Sequence, residues 1–98
     1  MSEILKIAIV QSEIFWHEIA KNLEHFESKI AQCASDIDLV VLPETFSTGF
    51  SMEAKNIPAE ILNSVPDWLQ KMSIKYQKAI CGSAVFFENN QWFNRLFL

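Results

Sequence analysis

Short apolar runs alternate with stretches of helical periodicity along this chain of 98 residues. Runs typical of strands cover residues 4–10, 37–43 and 79–87, and a further run covers 91–98. Between the first two runs, apolar residues recur at steps of four and three, which predicts one buried stripe on a helix over 18–34. The stripe consists of Ile19, Leu23, Phe26, Ile30 and Cys33. A strand, a helix and a strand in this order predict a βαβ unit and therefore an α/β fold. The first strand is mostly apolar and is expected to be buried.

A second helix is expected over residues 65–77. Pro66 suits its first turn, and Ser64 with Asp67 has the spacing of a capping box, although Asp replaces the usual Glu. Its apolar face comprises Trp68, Leu69, Met72 and Tyr76. Its basic residues are interpreted as a solvated face, and they are Lys71, Lys75 and Lys78. After the third strand, Asn89 and Asn90 predict a two-residue hairpin turn because Asn tolerates the left-handed region.

A carboxylate follows the second strand directly. Pro43 has no N–H for a sheet ladder, so the strand is expected to end there and Glu44 to stand at its carboxyl end. If this strand is central and covered on both faces, Glu44 lies where open α/β sheets bind their ligands. Glu44 is therefore a candidate general base, and the alternative is a solvated loop residue.

The connection over residues 44–63 is long, and loops of this length in compact domains tend to be functional. Gly49 permits a turn with positive φ. Phe46, Phe50 and Met52 either wall a pocket beside Glu44 or pack the loop down, and both interpretations remain open.

Composition excludes several function classes. The net charge is −4 and the 8 basic residues are scattered, so no nucleic-acid surface is predicted. No apolar run is long enough to span a bilayer, and charges interrupt the N-terminal run, so neither a membrane anchor nor a signal peptide is expected. A cytoplasmic location follows, in which Cys33 and Cys81 stay reduced. The cysteines and the two histidines, His17 and His25, lack metal-site spacing, so no metal or other cofactor is expected and the histidines are interpreted as exposed helix residues.

The run LPETFSTGFSM at residues 42–52 resembles the first catalytic segment of the nitrilase superfamily, the carbon–nitrogen hydrolases, and in particular its omega-amidase-like branch. Three other segments agree in order and spacing. KIAIVQ at 6–11 resembles the opening strand of the family, and Asn22-Leu23 falls in the first long helix. GSA at 82–84, followed by NNQWFNR at 89–95, resembles its Gly-Ser strand and hairpin. The resemblance covers essentially the whole chain.

The resemblance implies that residues 1–98 are the N-terminal part of a single carbon–nitrogen hydrolase domain, a four-layer α-β-β-α sandwich whose remainder is absent. It implies an amidase that releases ammonia from a small linear amide, such as the amide of a 2-oxo acid, and that is a homo-oligomer in its full-length form. The family's chemistry uses a Glu, a Lys and a Cys, of which only Glu44, as general base, has a counterpart here. These 98 residues alone are therefore expected to be inactive. Lys78 and Cys81 are disfavoured as the missing pair, since Lys78 belongs to a helix end and Cys81 reads as a core thiol.

Two competing interpretations remain. The chain could be a truncated, catalytically inactive product that serves as an interaction or structural module. A nucleotide-binding α/β domain ranks last, because the two glycines, Gly49 and Gly82, cannot form a glycine-rich phosphate loop.

Overall fold

The computed structural model of the protein describes residues 4–98. Within them, one sheet has the strand order β1-β2-β3-β4. Its strands are β1 (Ile7–Ile9), β2 (Leu39–Val41), β3 (Ala79–Glu88) and β4 (Gln91–Phe97). β1, β2 and β3 run parallel, and β4 pairs with β3 in the antiparallel sense. The expected α/β architecture, with β2 inside the sheet, is confirmed.

The helices are α1 (Ile19–Ala31), α2 (Ala59–Leu62) and α3 (Val65–Tyr76). The connection over 44–63, expected to be a loop, contains α2 and a short 3₁₀ helix at Ala54–Asn56. No helix in the described part of the chain is both long and apolar enough to cross a membrane.

The core lies between the helices and one face of the sheet. The α1 stripe is confirmed, because Ile19, Phe26 and Ile30 are buried and the remaining members, Leu23 and Cys33, pack against the core. The predicted face of α3 behaves in the same way. Its Leu69 and Met72 are buried, and Trp68 and Tyr76 are partly buried.

The opposite face of the sheet is open in the described residues, which corrects the expectation of a buried first strand. Ile7 is 48% exposed and Ile9 is 70% exposed. In β2, Val40 is buried while Leu39 and Val41 are partly exposed. The alternation arises because successive side chains of a strand point to opposite faces and the helices cover one face alone.

The predicted capping box is wrong. Ser64 makes no side-chain cap bond, and its hydroxyl instead donates to the Ile61 carbonyl at 2.6 Å. The backbone of Ser64 is already helical (φ −78°, ψ −15°) because α2 runs almost directly into α3. A true N-cap residue has extended backbone, from which its oxygen can reach the next turn.

The solvated-face interpretation holds for Lys71 and Lys75, which are exposed, but it is wrong for Lys78. Lys78 is 8% exposed, and its ammonium group donates to the carbonyls of Ala34 at 2.8 Å and Ile37 at 3.0 Å. The side chain thereby fastens the end of α3 to the segment that leads into β2.

The hairpin turn is confirmed. Asn89 (φ 53°) and Asn90 (φ 61°) occupy the left-handed region, and Glu88 pairs directly with Gln91. Two successive positive φ values are what a twisted two-residue hairpin requires.

Candidate active site

Glu44 lies at the carboxyl end of β2, as the sequence predicts. After Val41 the strand contributes one more sheet-like hydrogen bond, from the Leu42 N–H to the Cys81 carbonyl at 2.8 Å. Pro43 then interrupts the pairing, and Glu44 begins a tight turn over residues 44–48. Its side chain is exposed. A general base needs partial burial to work near neutral pH, and residues 4–98 do not supply that burial.

The residue after Glu44 is held in an unusual conformation. Thr45 has φ 48°, in the left-handed region that β-branched residues rarely enter. Its hydroxyl donates to the Glu44 carbonyl at 2.8 Å, and its own carbonyl accepts from Gly49 N–H at 2.8 Å. Backbone strain of this kind persists where the surroundings over-determine the conformation, and it clusters at functional sites.

Strand β3 holds the turn from one side. The Thr45 N–H donates to the Ser83 hydroxyl at 3.0 Å, and the Phe46 N–H donates to the Ser83 carbonyl at 3.3 Å. Next to Ser83, a Cβ on Gly82 would stand 3.0 Å from Phe46 Cδ1 and 3.1 Å from Leu42 Cβ. Gly82 is therefore required for the close approach of the turn to the sheet.

Helix α1 holds the same turn from the opposite side. The fully buried Asn22 donates to the carbonyls of Ser47 at 2.8 Å and Phe15 at 2.6 Å, and its oxygen accepts from Phe15 N–H at 2.7 Å. All the amide's polar atoms are thus used to join the turn to the segment before α1.

That segment makes further contacts with the loop beyond the turn. The His17 N–H donates to the Thr48 carbonyl at 2.9 Å, and the His17 ring is hydrogen-bonded to the Ser51 hydroxyl. Trp16 stacks on His17 and donates from its indole N–H to the Phe50 carbonyl at 3.1 Å. The sequence predicts that His17 is an exposed helix residue, and this prediction is wrong. His17 precedes α1, has φ 59° and is partly buried. The other histidine, His25, lies in α1 but is also partly buried, and its ring is hydrogen-bonded to the Ser12 hydroxyl at 2.7 Å.

The Glu44 carboxylate faces a concavity of about 330 Å³. Within it, the Asn94 amide donates to Glu44 Oε1 at 3.3 Å. The other principal lining residues are Phe50, Met52, Lys55, Val85, Trp92 and Phe93. The site therefore combines one carboxylate, one amide and one lysine with a largely apolar wall, which is the usual composition of a small-molecule pocket.

The two aromatic residues predicted for the pocket differ in position. Phe50 is 77% exposed and lines the concavity. Phe46 is fully buried, and its ring contacts Phe26 and Trp68 at centroid distances of 5.8 and 5.7 Å. Phe46 therefore packs the loop down, whereas Phe50 and Met52 are pocket-wall residues.

Cys81 lies on the open face of the sheet. It is partly exposed and lines a second concavity, of about 380 Å³, together with Glu44, Ser83 and Asn94. It is therefore less enclosed than the core thiol that was expected. Cys33 is also partly buried, and its thiol lies 3.5 Å from the Lys29 carbonyl within α1.

The segments that carry the family resemblance include Asn22, Ser83, Trp92 and Asn94, but the sequence alone assigns these residues no role. For Ser83 and Asn94, a role at the site could have been predicted from the alternation of side chains along the two paired strands β3 and β4. Ser83 and Val85 share one face of β3, and Val85 pairs with Asn94. This juxtaposition depends on the hairpin register, which the Asn89-Asn90 turn fixes.

A model of the carbon-nitrogen hydrolase family matches residues 6–98. The chain belongs to the carbon–nitrogen hydrolase family. It is also 34% identical over 95 residues to omega-amidase YafV of Yersinia enterocolitica, which covers 96% of this chain and 36% of that protein. The chain thus spans about a third of the length of this relative and corresponds to its N-terminal part.

Solved structures of carbon–nitrogen hydrolases support the same assignment. XC1258 from Xanthomonas campestris superposes with a TM-score of 0.85 at 34% identity, over 94% of this chain and 35% of that chain. An amidase from Nesterenkonia sp. superposes with a TM-score of 0.77 at 18% identity, over 90% and 34% of the two chains, which shows the common fold. The expected family and its omega-amidase-like branch are confirmed. The expected fold class, an N-terminal portion of the nitrilase-type fold, is also confirmed.

Proposed function

We propose that this chain contributes the general base, Glu44, to an amidase that hydrolyses the C–N bond of a small linear amide and releases ammonia. The observation that carries the proposal is the position of Glu44. In a chain that belongs to the carbon–nitrogen hydrolases, it is the carboxylate at the end of a central strand, and it faces a concavity of small-molecule size.

In the proposed reaction, a cysteine thiolate attacks the amide carbonyl carbon and forms a tetrahedral intermediate. Glu44 accepts the thiol proton and then delivers it to the leaving nitrogen, so that ammonia departs and a thioester remains for water to hydrolyse. A lysine ammonium group stabilises the oxyanion.

The nucleophile and the oxyanion lysine are proposed to come from outside these 98 residues. Lys78 is unsuited to the oxyanion, because its ammonium group is buried and engaged with two carbonyl oxygens at the far end of α3. Cys81 is disfavoured because, although it forms the last pair of the β2–β3 ladder with Val41, it lies inside a strand that continues to Glu88 and not at a strand end or sharp turn.

The proposed substrate is the omega-amide of a small 2-oxo acid. The name of the Yersinia relative supports this class, and the apolar wall formed by Phe50, Met52 and Trp92 suits a short carbon chain. The proposed setting is a cytoplasmic homo-oligomer of the full-length form. In it, the open face of the sheet and the exposed Glu44 would become covered.

The test is ammonia release by the intact enzyme that contains this chain, with omega-amides of small 2-oxo acids as substrates. Glu44→Gln is expected to lower turnover at least about a hundredfold while the fold is retained, because the amide cannot accept the proton. Cys81→Ala is the matched control and is expected to keep turnover. Near-parental turnover of Glu44→Gln would remove Glu44 from the mechanism.

The 98 residues alone are expected to release no ammonia. Ammonia release by them would overturn the requirement for an external Lys and Cys. If the intact protein hydrolyses none of these amides, the alternative of a catalytically inactive interaction or structural module is favoured.

A further inference from the structure

Asn94 in β4 makes the hydrogen bond to the Glu44 side chain described above. Its Nδ2 lies 3.3 Å from Glu44 Oε1, and the two residues are 50 positions apart in the sequence. Asn94 also borders both concavities that contain Glu44, so it stands at the ridge between them. Its amide group is therefore placed to set the direction in which the carboxylate points.

The contact is part of a two-point attachment. Ser83 and Val85 lie two positions apart on the same face of β3, and Val85 pairs with Asn94. Ser83 holds the backbone of the turn through the N–H groups of Thr45 and Phe46. The β3–β4 hairpin thus holds both the backbone that follows Glu44 and the carboxylate itself.

We propose that Asn94 is a positioning residue for Glu44. Its amide N–H fixes Oε1, so that Oε2 is the oxygen left to accept a proton. An amide can donate to a carboxylate without exchanging a proton with it, so Asn94 orients the base without competing for its task. The hydrogen bond between the two side chains does not depend on any enzymatic activity. The positioning role in catalysis rests on the proposed function.

Other charged or titratable groups around Glu44 do not duplicate this contact. Lys55, from the 3₁₀ helix, lines the same concavity, and Cys81 lines the second one. Arg95 points to the opposite face of β4, where it pairs with Glu88 at 2.9 Å.

The first test uses nuclear magnetic resonance on the 98-residue chain, labelled with ¹⁵N and ¹³C. The side-chain amide resonances of Asn94 are expected to change with pH in step with the Glu44 carboxyl carbon. In Glu44→Gln this pH dependence is expected to disappear. The Asn63 amide, which donates to the Phe87 carbonyl at 2.8 Å, is the control for a bond to a group that does not titrate. An Asn94 amide that is insensitive to pH, or equally sensitive in Glu44→Gln, would overturn the proposal.

The second test uses the intact amidase with Asn94→Leu, which keeps the side-chain volume and removes the donor. We expect kcat to fall about tenfold with little change in KM, since a hydrogen bond to a charged group is lost. Asn94→Gln, which restores an amide, is expected to recover part of kcat.

The outcomes separate the two proposals. If Asn94→Leu keeps the parental kcat, Asn94 has no positioning role. A purely structural role would lower stability, and Asn94→Gln would then not recover kcat, which would equally contradict the proposal. If Glu44→Gln keeps its turnover, the proposed function fails, while the resonance test still decides whether Asn94 and Glu44 are linked.

Discussion

Asn22, near the start of α1, donates a 2.8 Å hydrogen bond to the backbone oxygen of Ser47, in the turn that follows β2. The same amide bonds both the N–H and the carbonyl of Phe15. A single buried side chain therefore fixes the turn that begins at Glu44 against two other parts of the chain. Buried amides of this kind stabilise a fold only while all their partners are present.

Asn22→Ala is expected to lower the free energy of unfolding by about 3 kcal/mol, because it removes three hydrogen bonds and leaves their backbone partners without a hydrogen bond. Asn56→Ala, at an exposed position, is the matched control. Chemical denaturation of both variants measures the difference. Equal stabilities of the two variants would contradict the role assigned to Asn22.

Thr45→Gly is expected to change the free energy of unfolding by less than about 1 kcal/mol, because relief of the φ 48° strain offsets the entropy that glycine loses on folding. Thr48 is the matched control. It is also buried and its hydroxyl also donates to a neighbouring carbonyl, but it is not among the residues with positive φ. Thr48→Gly is therefore expected to cost about 2 kcal/mol. Equal costs at the two positions would show that Thr45 is not strained.

Gly82→Ala is expected to lower the free energy of unfolding by about 1–3 kcal/mol, because the new methyl group would stand 3.0 Å from the Phe46 ring. The cost should shrink when Phe46→Leu is also present, since the smaller side chain makes room. A double-mutant cycle measures this coupling. Additive effects would mean that the Phe46 ring does not cause the strain at Gly82.

The contact between α1 and α3 predicts a pH dependence of stability. Hydrogen bonds from Lys75 at 2.7 Å and from Tyr76 at 2.8 Å lower the pKa of Glu27 below its ordinary value of 4.5. A carboxyl group with a lowered pKa in the folded state stabilises the fold above its unfolded pKa, and this contribution is lost as the pH falls through the folded pKa. Glu27→Gln should therefore destabilise the protein most above pH 4.5 and progressively less at lower pH.

Urea denaturation of the parent and of Glu27→Gln between pH 7 and pH 3 measures that difference. Glu24→Gln, at an exposed position on the same helix, is the control. A destabilisation by Glu27→Gln that stays constant with pH would show that the carboxylate charge is not what the contact needs.

The order of the elements could be predicted because periodicity and proline position are local signals. The stripe of α1, the stop at Pro43 and the Asn89-Asn90 turn each depend on residues near one another in sequence. The position of Glu44 could be predicted in the same way, because Pro43 marks the end of the strand directly before it.

The remaining features depend on distant partners. The burial of Asn22 and Lys78 is possible because carbonyl groups from other segments satisfy them, and no local pattern shows such partners. The exposure of Ile9 depends on what covers the sheet, which alternation within the strand does not report. Ser64 has the composition of a cap, but the preceding α2 determines its backbone conformation.

The two-residue hairpin turn has a consequence for the order of folding. β3 and β4 are joined locally, and hairpins form in about 1–10 μs. β2 reaches β3 only after the long connection and α3 have been ordered, and such non-local parallel pairing is slow because loop closure precedes it. We therefore expect the hairpin that bears Ser83 and Asn94 to form early and to act as a template. Glu44 would reach Asn94 only when β2 docks, so the candidate site is assembled by the slowest pairing in the sheet.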